Sequence, residues 1–173
     1  EIKKDIRKSF QLHSVFTGNP GTGKTTMARI MGKVYKGLGI LERGHVVETD
    51  SADLIAGYIG QTADKTKSRI MEAMGGVLFI DEAYSLTDGN HPGFGKKAVA
   101  TLLKRMEDSR GEFAVIVAGY TKPMEKFIES NPGLKSRFDQ TMTFNDFTAE
   151  ELYQIGLKMI ADAGLVAEKD ALD

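Results

Sequence analysis

The chain has 173 residues, 23 Lys and Arg against 24 Asp and Glu, 41% hydrophobic residues and no cysteine. This is enough apolar content for one packed core, and it excludes disulfide scaffolds, cysteine nucleophiles and thiolate metal sites. A net charge of −1 gives no basic footprint for nucleic acid, and the longest aliphatic run, 114–118, falls far short of the ~20 residues of a membrane span.

The elements follow in chain order. Residues 1–11 are charged and weakly amphipathic, as at the end of a helix. His13 to Thr17 reads as a buried strand, Gly18 to Gly23 as a glycine-rich turn, and Thr25 to Lys36 as a helix with Met27, Ile30, Met31 and Val34 at helical spacing. Gly37 and Gly39 end that helix. A second strand is expected over 44–49, then a mixed loop over 51–60 with room for a helical turn, then a helix over 62–74 with Ile70, Met71 and Met74 on one side. Val77 to Ile80 is a wholly apolar strand. Ser85 to Gly95 reads as a loop, and 96–106 as a helix carrying Val99, Leu102, Leu103 and Met106. A strand over 113–118, a helix over 122–129 and an alternating strand over 141–144 complete the pattern. Thr148 to Glu151 has the spacing of a capping box and predicts a further helix. Strand–helix alternation with strands apolar on both faces predicts a parallel sheet covered on both sides.

Two motifs carry chemistry. Gly18-Asn19-Pro20-Gly21-Thr22-Gly23-Lys24-Thr25 matches G-x-x-x-x-G-K-[ST], between a strand and a helix as that motif requires. A triphosphate needs many donors at short range. The glycines let backbone N–H groups point inward, and the helix N-terminus adds its positive dipole end. Lys24 would reach the β- and γ-phosphates, the Thr25 hydroxyl would ligate Mg²⁺, and Thr26 would add a donor near the α-phosphate. The second motif is Asp81-Glu82 directly after the apolar strand. A buried strand delivers both acids to its C-terminal end, where such sheets bind ligands. Asp81 would hold the Mg²⁺ shell, and Glu82 would orient and polarise an attacking water. The water-activating glutamate argues against a small-molecule kinase, and the chain holds no N-K-x-D guanine-reading segment.

Other patterns carry less. Gly93-Phe94-Gly95-Lys96-Lys97-Ala98 has a loose dinucleotide spacing but follows a polar loop rather than a strand. His13, His45 and His91 form no metal-ligand spacing.

With both motifs placed, the chain resembles the large subdomain of an AAA+ ATPase. The likeness is closest to the bacterial branch holding stage V sporulation protein K, red-type Rubisco activase and the type VII secretion ATPase. The segments carrying it are HSVFTGNPGTGKTTMARIMGKVY, ADLIAGYIGQTADKT, GGVLFIDEAYSL, VIVAGYTKPM and NPGLKSRFD. The resemblance implies an α/β P-loop NTPase fold, a three-layer αβα sandwich with a five-stranded parallel sheet in the order 5-1-4-3-2. Residues 1–147 would form the large subdomain and 148–173 the start of a helical lid, and the opening Glu1 predicts a piece of a longer protein. The same resemblance implies a cytoplasmic ring, usually a hexamer, that binds ATP and Mg²⁺ and acts on a protein client. Tyr58-Ile59-Gly60 falls at the client-gripping pore loop. Arg137 falls at the arginine finger that reaches a neighbour's γ-phosphate. Where the family usually places a phosphate-sensing Asn, this chain has Tyr120 and Thr121. Two other classes stay open: a nucleotide-gated assembly module with little turnover, and a DNA-handling loader. The net charge and the pore tyrosine count against the loader.

Overall fold

The computed structural model describes residues 12–55, 61–88 and 93–165. Its organising element is β3, Val77–Ile80, whose four residues are all buried. Successive side chains of a strand point to opposite faces. Leu78 and Ile80 accordingly join one apolar cluster while Val77 and Phe79 join another, so both faces of the sheet must be covered. β1 (Ser14–Gly18), β2 (Val46–Thr49), β4 (Ala114–Gly119) and β5 (Gln140–Phe144) complete a parallel sheet with it in the order β2-β3-β4-β1-β5. Read from the other edge, this is the expected 5-1-4-3-2.

Helix α1 (Lys24–Gly37) covers one face with Ala28, Met27, Met31 and Tyr35. The other face is covered by α3 (Thr62–Glu72), α4 (Phe94–Asp108), α5 (Thr121–Glu129) and α6 (Pro132–Arg137), through Ile70, Leu102, Phe127 and Leu134 among others. Each such side chain contributes roughly 1.5–3 kcal/mol on burial. The single-turn α2 (Ser51–Leu54) sits inside the expected mixed loop, and α7 (Ala149–Asp162) follows β5.

Several expectations are corrected. Ile30 and Val34 lie on the outer side of α1, about half exposed, because Ala28 and the flat Gly32 take the sheet-facing positions. Met71 is likewise exposed, and α3 ends at Glu72; its core face is Thr62, Thr66 and Ile70, with the Thr66 hydroxyl donating to the Leu54 and Thr62 carbonyls. Leu86 ends a 3-10 turn (Ala83–Leu86) where a loop was expected, and α4 starts at Phe94, so Gly95 is helical. A side chain on Gly95 would run into the Leu86 carbonyl oxygen, so this glycine serves helix-to-turn packing and not a dinucleotide. The six-residue α6 went unforeseen because Pro132-Gly133 reads as a turn. The two edge strands do not share the two-sided burial of β1, β3 and β4: β5 is exposed at four of five positions, and β2 buries only Thr49.

Candidate functional site

β1 delivers the chain to the C-terminal edge of the sheet at Gly18. There φ is +151°, and any Cβ would meet the Phe144 carbonyl oxygen of the neighbouring strand. The loop then turns through left-handed Gly21 and Gly23 (φ +75° and +88°) into α1. Its interior is stapled by the Thr22 hydroxyl, which donates to the Asn19 carbonyl (2.8 Å). Lys24 is 9% exposed, and its Nζ donates to the Gly18 and Asn19 carbonyls at 3.0 and 2.6 Å. The Asn19 amide points away from the loop interior, donating to both Asp146 oxygens at 2.9 and 3.0 Å. The first turn of α1 carries no acidic side chain, leaving its positive end available to an anion.

Two strands away, β3 ends in Asp81 and Glu82. The Asp81 N–H donates to the Thr49 carbonyl (2.9 Å), and Asp81 Oδ1 accepts from the Glu82 N–H (3.0 Å). Glu82 has φ +46° and is the non-glycine residue at positive φ among the described residues. Such a conformation costs on the order of 1–3 kcal/mol and is held in place by the surrounding structure. Here the Ser85 hydroxyl and N–H both donate to the Glu82 carbonyl, at 2.6 and 2.9 Å. Burial first, and then the negative charge of Glu82, push the Tyr84 pKa up. The Tyr84 ring lies against Gly119 and 6.5 Å from the Tyr120 ring.

These groups meet in one cleft of about 330 Å³ at the end of the sheet. Gly18, Pro20, Gly21, Gly23, Lys24, Thr25 and Thr26 line it from the loop, Asp81 and Glu82 from β3, and Gly119 and Tyr120 from the end of β4. Asn19, Thr22 and Thr121 do not line it: the Asn19 side chain turns to Asp146, Thr22 works within the loop, and Thr121 opens α5. Among the described residues no three His, Cys, Asp or Glu gather as a metal cluster. The hard oxygen donors Thr25 and Asp81 in one cleft fit Mg²⁺, which takes few protein ligands and keeps waters. Tyr58, Ile59 and Gly60 lie outside the described residues.

Arg137 stands elsewhere. It ends α6, whose start is capped by Asn131 Oδ1 accepting from the Gly133 N–H (2.7 Å) and whose Leu134 is buried. Its Nη2 donates to Glu107 Oε2 (3.1 Å) and its Nη1 to the Gly133 carbonyl (3.3 Å). Gln140 pairs with Ser14 at the start of β1, so Arg137 sits at the N-terminal edge of the sheet. That edge is roughly 13 Å along β1 from the loop, at ~3.3 Å per residue. Nearby His13 packs against the Phe113 and Phe138 rings, and its Nδ1 accepts from the Val115 N–H at 3.0 Å. Burial first, then the charges of Arg137 and Arg110, lower its pKa to about 4. This is a plain hydrogen-bonding role at a strand entrance.

Sequence reasoning did not single out Tyr84, Asp146 or Glu107. Tyr84 had a signal, being two residues past Glu82; the other two act on partners 127 and 30 residues away.

A five-stranded parallel sheet in this order, with the glycine-rich loop after its first strand and an acid pair after its third, is the P-loop NTPase fold. The chain belongs to the AAA family, the ATPase family associated with various cellular activities, whose family model matches residues 14–146. It is 50% identical over 149 residues to stage V sporulation protein K of Bacillus subtilis (strain 168), covering 86% of this chain and 46% of that protein. It is 49% identical over 152 residues to the Protein CfxQ homolog of Galdieria sulphuraria (87% and 50%). It is 48% identical over 162 residues to the ESX-3 secretion system protein EccA3 of Mycolicibacterium smegmatis (93% and 27%). The chain thus spans half or less of the length of these relatives. The crystal structure of the FIGL-1 AAA domain in complex with ADP shares the fold, with a TM-score of 0.65 at 17% identity over 92% of this chain and 53% of that one. Among the described residues no helix is long and apolar enough to cross a membrane.

Proposed function

We propose that residues 1–147 are the ATP-hydrolysing large subdomain, and 148–173 the start of a helical lid, of a cytoplasmic AAA+ ring. The ring, a hexamer by family likeness, remodels a protein client and binds no nucleic acid. The observation that carries this reading is the convergence of Lys24, Thr25, Asp81 and Glu82 on one cleft at a helix N-terminus. Backbone N–H groups of residues 21–26 bind the phosphates, with Lys24 Nζ swinging from the loop carbonyls toward the β- and γ-phosphates. Thr25 and Asp81 would hold Mg²⁺, which neutralises phosphate charge and fixes the phosphates in line. The Glu82 carboxylate accepts a hydrogen bond from the attacking water and takes its proton as the water oxygen bonds the γ-phosphorus and the bridging bond from that phosphorus to the leaving ADP oxygen breaks. Tyr120, backed by the Tyr84 ring, faces the phosphate end of the cleft as the sensor; Thr121 lies just outside. Arg137, remote from its own cleft, serves the cleft of the next copy. Tyr58 and Ile59, with Gly60 as a pivot, grip the client by apolar contact.

The test uses the intact protein. Calorimetry should detect ATP binding in the wild type and in Glu82→Gln, and none in Lys24→Ala. Steady-state hydrolysis should drop roughly 10²–10⁴-fold in Glu82→Gln, the range of a positioned general base. Equal rates for wild type and Glu82→Gln would turn the reading into a nucleotide-gated assembly module, which Tyr120 at the usual Asn position favours.

A further inference from the structure

We propose that Glu107 is a positioning residue that presents Arg137 to the cleft of a neighbouring copy; the inference rests on the reading above, in which Arg137 acts in trans. Arg137 is the last residue of α6, on a long side chain with four rotatable torsions, and its own cleft lies at the opposite edge of the sheet. A finger of this kind works only if the guanidinium is already aimed when the next copy docks. Two contacts aim it. Nη1 donates to the Gly133 carbonyl at 3.3 Å, one turn back on its own helix, and Nη2 donates to Glu107 Oε2 at 3.1 Å, on α4. Together they fix the plane of the fork.

Glu107 is itself braced. Arg110 Nη2 lies 3.0 Å from both of its oxygens, which holds the carboxylate in the orientation that Arg137 meets. The two guanidiniums share one carboxylate, which orients Arg137 without neutralising both cations. The Glu107 pKa is held below the ordinary carboxylate range, first by the bond from Arg110 and then by Arg137, so the anion persists through the physiological range. Glu107 and Arg110 are half exposed, and an exposed pair adds little to stability. What this pairing contributes is geometry. Arginine's rigid planar fork makes that geometry consequential, since a phosphate takes it only in certain orientations.

The experiment measures ATP hydrolysis by the intact protein for Glu107→Gln, Arg137→Ala, the double variant, and equimolar mixtures of each single variant with Glu82→Gln. Glu107→Gln should lower kcat roughly ten- to a hundredfold, the cost of a misplaced group, with KM for ATP unchanged. The double variant should be no worse than Arg137→Ala. Mixing with Glu82→Gln should raise activity above the sum of the parts, because Glu82→Gln copies carry an intact Glu107–Arg137 pair beside the intact clefts of the Glu107→Gln copies. A fold defect confined to one copy gives no such rescue. A wild-type or faster rate for Glu107→Gln, or a loss that mixing does not rescue while Arg137→Ala is rescued, overturns this inference alone. Failure of the Arg137→Ala mixture to recover overturns the trans-arginine reading and this inference with it.

Discussion

The two edges of the sheet are built by opposite rules. At the C-terminal edge the backbone bends sharply: three glycines of one loop and Glu82 sit at positive φ, and the acids are exposed. At the N-terminal edge a histidine is buried between two phenyl rings, and a shared carboxylate holds two arginines. Strain with exposure at one edge marks groups that await a ligand inside this chain's own cleft. A paired guanidinium at the other edge, away from the cleft lining, is the group that the proposed function assigns to another copy. In the function proposed above, the separation of Glu82 from Arg137, more than the presence of either, is what would make a solitary copy incomplete.

The largest effect that can break this comparison is on hydrolysis by Arg137→Ala. Arginine fingers supplied in trans to related GTPases are worth about 10³ to 10⁵ in rate, and a loss in that range is expected here with ATP binding retained. Wild-type specific activity should climb with protein concentration, while the variant's should stay flat. A wild-type rate that is high and strictly proportional to concentration would mean that one edge suffices by itself.

Much of the C-terminal edge was legible in the sequence because it is local. The loop is eight consecutive residues, 18–25, and the acids directly follow an apolar run, so spacing alone puts them at strand ends. The N-terminal edge was barely legible. The Glu107–Arg137 contact spans 30 residues and the His13–Val115 bond 102, and neither leaves a periodic trace. The helical pattern misplaced Ile30 and Val34 for a related reason. Periodicity reports an apolar stripe, but Gly32, which comes close against the Gly44 backbone, decides which stripe faces the sheet. α6 was missed because six residues opening with Pro-Gly carry no period at all.

A smaller effect sharpens the contrast through pH. His13 is held neutral in the fold, with its pKa lowered to about 4 from an ordinary 6.5. Above pH 6.5 neither folded nor unfolded chain protonates it, so its stabilising contribution is complete. Between 6.5 and 4 the unfolded chain takes up a proton that the folded one refuses, and stability falls as pH falls. The total is about 3 kcal/mol at ~1.4 kcal/mol per unit, fully lost below about pH 4. Urea unfolding at pH 7 and pH 4 should show wild type losing about that much more than His13→Gln. Parallel losses in the two proteins would remove the buried histidine from the account.

The smallest expected effect compares two helix caps of the same chemistry. Asn131 caps α6 and Thr148 caps α7, the latter in a full capping box with Glu151, whose pKa is lowered chiefly by the bond from the Thr148 N–H. Replacing either cap by Ala costs about 1 kcal/mol of helix stability. The helices differ in what they are fastened to. α6 is pinned to the core by Leu134, so losing its cap should lower the melting temperature of the whole fold and, by loosening Arg137, slow hydrolysis as well. α7 buries none of its residues among those described, so Thr148→Ala should leave the melting temperature almost unmoved. Its effect should appear instead as faster amide exchange confined to the first turns of α7, because a local opening needs no unfolding of the core. A global drop in Thr148→Ala equal to that in Asn131→Ala would show α7 fastened to the body as firmly as α6, against the subdomain boundary proposed at residue 147.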